Sequence, residues 1–376
     1  YEELLARAVP ASDANRSGTD LAAVMDTCGT TGFPKGVMLS HDNLMANSLA
    51  LVGAGLDHPD GLVLAIAPMF HIAIGALMHA HVMIGGTTVI EPMFTPLATL
   101  QALQQHRITH LLLVPTMVQL TVDHPEAGNY DLSSVAILMY GGSVINDAVL
   151  RRAMERFPNA GFNQAYGMTE LAPCATYLGP PDHRGKPELL RSAGRATMVT
   201  EVRVVDENDV EVPRGTVGEV VVRGPTVMLG YWNKPEESAR ALRNGWMHTG
   251  DGGRMDEDGY VYIVDRMKDM IVSGGENVYS AEVENALGRH PCVASSAVIG
   301  IPSEQWGEAV HAVVVLKQGT SATHEELAAH CHELIARYKC PRSFEFRNAL
   351  PMTGAGKIQK TELRKPYWEG RNRAVN

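Results

Sequence analysis

What is missing from the chain bounds it first. The five cysteines, Cys28, Cys174, Cys292, Cys331 and Cys340, form no C-x-x-C pair and no zinc-like spacing. That odd, scattered set fits a reducing, cytoplasmic setting better than a disulfide framework. There is no excess of positive charge: 32 Lys and Arg face 42 Asp and Glu, for a net charge of -10. A diffuse acidic balance argues against nucleic acid or an anionic membrane as the main partner. There is no long apolar run either. The most apolar stretch, 71–90, is broken by His79, His81 and Gly85-Gly86, so no integral membrane segment is expected. His79 and His81 have no further ligands nearby in sequence and read as structural rather than as a metal pair. Internal repeats and low-complexity tracts are absent.

What remains is a chain of 376 residues, 45% hydrophobic and 20% charged, long enough for two or three domains. From residue 21 to about 166, apolar runs alternate with helical patterns. Strands are expected over 21–26, 62–67, 109–114, 135–140 and 161–164, and helices over 42–53, 96–106 and 146–157. Thr95 is suited to cap a helix with Pro96 in its first turn. Near-continuous apolar strands between helices imply an α/β fold with a mostly parallel sheet covered on both faces.

From about residue 193 the texture changes. Short Val-rich strands over 202–205, 219–223 and 260–264, separated by Asp/Asn/Gly turns, predict a small antiparallel β unit. After Arg266 a compact α+β unit is expected, with helices over 281–287 and 325–336, strands over 296–299 and 310–316, and a Thr323/Glu326 capping box. The expected division is a large domain over 1–266, containing an antiparallel subdomain at 193–265, and a small C-terminal domain over 267–376. The chain opens on Tyr1 without Met, in what reads as the middle of a helix. The expectation is a large domain that lacks its front part.

The most informative stretch is Thr27-Cys28-Gly29-Thr30-Thr31-Gly32-Phe33-Pro34-Lys35-Gly36. Glycines let backbone N–H groups approach an anion, the threonines add hydroxyl donors, and Lys35 adds positive charge. The loop is suited to phosphates. It is not a Walker A loop, because Lys35 lies between Pro34 and Gly36 instead of preceding Ser/Thr at a helix start. Five clusters follow: Pro68-Met69-Phe70-His71; Gln164-Ala165-Tyr166-Gly167-Met168-Thr169-Glu170; Trp246 to Asp251; Asp265 to Asn277, which holds Arg266, Lys268, Gly274 and Gly275; and Pro351 to Ile358, with Lys357 on a Gly-rich loop. Strand ends of a parallel sheet are where ligands bind. There Tyr166 can stack on a base, Thr169 can bond a phosphate and Glu170 can hold Mg²⁺.

In type, order and spacing these motifs resemble the adenylate-forming enzymes: acyl-CoA synthetases, luciferases and peptide-synthetase adenylation domains. The texture is most similar to fatty-acyl-CoA synthetases. The resemblance implies ATP, Mg²⁺ and CoA as cofactors and co-substrates, with a small carboxylic acid as substrate. It implies that Thr27, Cys28, Gly29, Thr30, Thr31, Gly32 and Lys35 hold the β- and γ-phosphates. Gly142 and Ser143, with Gln164, Ala165 and Tyr166, would frame the adenine. Thr169 would contact the α-phosphate and Glu170 the metal, while Asp251 and Arg266 grip the ribose. Lys357 would enter from the small domain during adenylation, Lys268 would be the hinge, and Gly274 and Gly275 would line the CoA path. His71, as a gate, with Ile72, Gly75 and Ala172, would surround the acyl group.

Two departures stand out. Cys28 replaces the usual Ser, and Asp26 the usual aromatic, which trades good contacts for weaker ones. An amino-acid substrate is disfavoured, because Phe70 is followed by His71 and not by the Asp that pairs an α-ammonium. An aryl-CoA ligase or an inactive nucleotide-binding fragment are the remaining alternatives.

Overall fold

The structure is a computed structural model that describes residues 2–27, 35–56, 58–267, 269–354 and 356–369. Its centre is a seven-stranded sheet in the order Thr87–Ile90, Leu62–Ala65, His110–Leu113, Ile137–Gly141, Gly161–Gly167, Cys174–Leu178, Arg195–Ala196. The first five strands are parallel and the last two antiparallel. Alternation along each strand feeds two cores. Leu64, Leu138 and Tyr140 pack with the helices Pro96–Gln105, Pro115–Val122 and Asp147–Arg156. Val63, Ala65 and Met139 face the opposite way, onto the helices His41–Gly53 and Ile72–Met83. Burial on both faces is why the Leu62–Ala65 strand is apolar at every position.

The local signals act as expected. Thr95 Oγ1 accepts from Ala98 N at 3.1 Å with Pro96 in the first turn. Thr323 and Glu326 close a reciprocal capping box.

One strand is sorted differently from the expectation. Leu21–Thr27 is outside the parallel sheet. It pairs antiparallel with Lys35–Ser40, which pairs in turn with Gly230–Tyr231. The physical reason is loop length: only residues 28–34 separate the two strands, and a parallel crossover needs a dozen or more. Lys35 therefore opens a strand, opposite Thr27.

The antiparallel sheet expected after residue 193 is present, in the order Glu201–Val205, Gly218–Arg223, Met247–Met255, Val261–Arg266. The last unit has its own five-stranded sheet, built around the hairpin Val293–Ser303/Gly307–Leu316. It also has its own core, which includes Ile271, Val283, Val298, Ala312, Val314 and Leu327. The unit docks on the large sheet's helices. Gln119 Nε2 donates to the Ala294 carbonyl at 3.1 Å, Thr116 Oγ1 to the Gly356 carbonyl at 3.0 Å, and Arg289 pairs with Asp147 at 3.2 Å. Among the described residues, no helix is long and apolar enough to cross a membrane.

Candidate active site

The site forms where the central parallel strands end. Gly141 and Ala165 are register partners on neighbouring strands. A Cβ on Gly141 would come within 2.2 Å of the Ala165 carbonyl oxygen, so only glycine allows this approach. Gly142 follows with φ +79°, in the left-handed region, and turns the chain over the strand end. Lys357 lies against it: a Cβ built on Gly142 would sit 3.2 Å from Lys357 Cε and 3.6 Å from its Nζ. The loop carrying Lys357 is held by its own turn, in which Thr353 N donates to the Lys357 carbonyl at 2.7 Å and Lys357 N to Thr353 Oγ1 at 3.1 Å.

Glu170 sits in a single turn, Thr169–Leu171, and is only 5% exposed. Tyr231 donates its hydroxyl to Glu170 Oε1 at 2.8 Å. Lys35 Nζ lies over the same tyrosine ring, 4.6 Å from its centroid. Burial first, and the Glu170 charge second, push the Tyr231 hydroxyl far above its ordinary range, so it remains a donor. Tyr231 was not found from the sequence. The signal was a Gly-Tyr-Trp run at 230–232, in a strand only two residues long.

Asp251 and Arg266 face each other across the antiparallel sheet, with Nε to Oδ1 at 3.6 Å. Tyr166 donates to Asp251 Oδ2 at 2.8 Å. Burial, then the Asp251 charge, raises the Tyr166 hydroxyl well above its ordinary range. The turn before Asp251 is pinned by Glu219, which the sequence reading also overlooked. Its Oε1 accepts from Gly250 N at 3.0 Å, and its Oε2 bonds His248 Nδ1 at 2.8 Å. Thr249 Oγ1 accepts from Asp251 N at 3.1 Å.

His71 caps the Ile72–Met83 helix, with Nδ1 accepting from Ala73 N at 3.3 Å. Burial, and then the Lys357 charge, lower its pKa to about 4, so it is neutral at pH 7. Ile72 and Ala172 belong to one buried apolar cluster, and the space beside Gly75 is open. Ser143 is exposed beside Gly142. His79 bonds Ser48 at 2.8 Å, and His81 bonds the Gly61 and Thr87 carbonyls. Both act as structural histidines.

The structure thus forms three clusters: His71, Gly142 and Lys357; Lys35, Tyr231 and Glu170; and Tyr166, Asp251 and Arg266. The contacts of Gly274 lie within the small unit, and Gly275 follows it there. The two glycines form the tight turn of a small-unit hairpin, with φ of +65° and +85°, and Gly274 N donates to the Trp306 carbonyl at 2.8 Å. Cys28, Gly29, Thr30, Thr31, Gly32 and Lys268 lie outside the described residues; Thr27, at the flank of the loop, directs Oγ1 to the Lys35 carbonyl at 3.4 Å.

The residues fit Mg²⁺ in one particular way. Among the described residues, no group of three or more His, Cys, Asp or Glu could hold a metal. A single buried carboxylate suits an ion held mostly by substrate phosphates and water, which is how Mg²⁺ is commonly bound.

The family profile for AMP-binding enzymes matches residues 2–232, and that for the AMP-binding enzyme C-terminal domain matches 282–357. The chain belongs to the AMP-binding enzyme family. Its relatives include feruloyl-CoA synthase of Amycolatopsis, 43% identical over 93% of this chain and 70% of that protein. The medium/long-chain fatty-acid–CoA ligase FadD8 of Mycobacterium tuberculosis is 40% identical over 93% of this chain and 62% of that protein. The chain therefore spans roughly two thirds of the length of these ligases. Among solved structures, ATP-bound MatB from Rhodopseudomonas palustris superposes with a TM-score of 0.89 at 33% identity, over 97% of this chain and 72% of that one. Apo MatB, at the same coverage, reaches only 0.75. This AMP-binding enzyme therefore superposes better on the ATP-bound than on the apo form.

Proposed function

We propose that this AMP-binding enzyme is an acid–CoA ligase acting on an apolar carboxylic acid, with a fatty acid as the first candidate. The observation that carries this reading is the Lys357 ammonium lying on Gly142, at the strand ends that also lead to Tyr166 and Glu170. A carboxylate oxygen attacks the α-phosphorus of ATP, the bond to pyrophosphate breaks, and an acyl-adenylate forms. The CoA thiolate then attacks the acyl carbon, and AMP leaves with the bonding pair. No protein nucleophile is required.

The chain's own residues position and neutralise. Asp251, held by Tyr166 and Arg266, offers acceptors to ribose hydroxyls. Lys35 and Thr27 flank the loop for the outer phosphates. Thr169 donates to the α-phosphate, and Lys357 stabilises charge that develops there. Glu170, oriented by Tyr231, would hold Mg²⁺, which when bound neutralises phosphate charge. Neutral His71 borders the acyl site without adding charge beside the carboxylate. Residues 1–266 would act as the platform and 267–376 as the moving unit, with Lys268 as the hinge. Gly274 and Gly275 would reach the site only after that unit turns.

Apolar walls support the substrate class. Ile72 and Ala172 back the site, and the open space beside Gly75 leaves room for a chain. Each methylene buried there contributes about 0.8 kcal/mol. Similarity to feruloyl-CoA synthase favours a second reading, an aryl acid. A pyrophosphate-release assay with octanoate, palmitate, ferulate, indoleacetate and amino acids decides. Turnover of octanoate or palmitate above the rest supports the first reading, and of ferulate the second. Preference for amino acids, or no release with any acid, overturns both.

A further inference from the structure

Asp265 lies in the Val261–Arg266 strand and pairs with Gly252 in the antiparallel sheet that carries Asp251. It is buried, at 8% exposure. Its Oδ1 accepts from Arg266 N at 2.8 Å, while its Oδ2 points across the connecting segment into the small unit. There it accepts from Ser280 N at 2.5 Å and from Ser280 Oγ at 2.6 Å. Ser280 opens the Ser280–Leu287 helix, whose own cap residue, Tyr279, makes no side-chain cap bond. A helix start leaves N–H groups without partners inside the helix. Here a carboxylate from another sheet supplies the missing partner, and negative charge is favoured at that helix end.

The contact continues toward the site. Lys360 Nζ donates to Ser280 Oγ at 2.5 Å and pairs with Glu284 at 2.7 Å. Burial pulls the Lys360 ammonium down, but Glu284, Asp265 and Asp269 outweigh it and keep it charged. Lys360 is three residues from Lys357. The path Asp265–Ser280–Lys360 therefore ties the ribose-side sheet to the base of the loop that lays Lys357 on Gly142. Asp269, on the other side of the connection, pairs with Arg364 at 2.6 Å, inside the small unit.

We infer that Asp265 is a positioning residue, a latch specific to the pose in which Lys357 occupies the site. Its strand is fixed in the large sheet, so it cannot follow the small unit when that unit turns. Turning uncaps the Ser280 helix and removes the Asp265 charge from beside Lys360. Asp265 thus favours the adenylating pose over any other, without touching a substrate. This rests on the two-step reading only for what the pose is for.

The test needs no substrate. Gln119 and Ala294, in contact across the two units, become cysteines in a chain with Cys28→Ser and Cys292→Ser. A short bismaleimide then reports how often the units are closed. Loss of an N-cap bond shifts a two-state balance by about fivefold, so Asp265→Ala should slow cross-linking by up to about that factor. Asp265→Asn, which keeps an acceptor oxygen, should restore most of the rate. Hydrogen exchange over Val293–Ser303 and Gly307–Leu316 should match the parent, since a latch does not support that hairpin. An unchanged cross-linking rate in Asp265→Ala overturns the inference. So does a loss that comes with equal loosening of the hairpin, or an Asp265→Asn rate as low as that of Asp265→Ala. A chain with no ligase activity would leave each of these results readable.

Discussion

Lys357 and His71 are coupled through one charge. Replacing Lys357 with Ala should lower adenylate formation about 10²–10³-fold, the usual loss for a group that stabilises transition-state charge. Pyrophosphate release measures it, and conversion of a supplied acyl-adenylate to thioester should survive. The same variant should move His71. Burial and Lys357 hold its pKa at about 4, against an ordinary 6.5. The stability this neutral histidine contributes is present above pH 6.5 and is lost as pH falls from 6.5 through 4. In Lys357→Ala the ring's titration midpoint, followed by NMR, should rise but stay below 6.5, because burial remains. A midpoint that does not move would place Lys357 elsewhere in solution. Tyr231→Phe removes a hydrogen bond to a charged group, worth about 1.5–3 kcal/mol. It should lower kcat/KM for MgATP by about tenfold or more, with a higher demand for free Mg²⁺. Unaltered MgATP kinetics would show that Glu170 needs no orienting partner.

At the scale of elements, the turn before Asp251 depends on Glu219. Glu219→Ala leaves Gly250 N without its acceptor and removes the bond at His248 Nδ1, at a cost of about 1–3 kcal/mol to the turn. Calorimetry with AMP should then show weaker binding, with the sheet's thermal transition lowered only slightly. Equal AMP affinity would sink this role. Glu219 also illustrates what a sequence conceals. Asp251, Glu170 and Lys357 are singled out by the sequence because chemistry-bearing residues stand in glycine-rich turns at strand ends. Helices at 41–53, 96–105 and 324–334 were legible from caps and apolar spacing. Glu219, Tyr231 and Asp265 act through partners 31, 61 and 15 residues distant in the chain. Only folding brings such pairs together, and each residue alone reads as an ordinary strand position. The 21–27 strand was missorted for a different reason: its apolar character was read without the shortness of the loop that follows it.

For the whole molecule, the central question is whether one rigid arrangement serves both steps. Lys357 is seated in the site, while the Gly274–Gly275 turn rests beside Trp306 of the small unit. Lys268→Pro tests the hinge, because proline fixes φ near about -65° and removes the N–H. If the locked pose is the one with Lys357 on Gly142, the enzyme should release pyrophosphate on its first turnover and then fail to form thioester. Both half-reactions at parental rates would rule the hinge out.

The seating of Lys357 also dictates an order of events. If Lys268 is the hinge and Gly274–Gly275 line the CoA path, as proposed, the small unit cannot present that turn to the thiol while Lys357 lies over Gly142. On that reading nucleotide and acid enter first, and pyrophosphate departs before CoA is admitted. Initial-rate plots of ATP at several fixed CoA concentrations should be parallel lines, and early CoA should neither speed nor trap the first product.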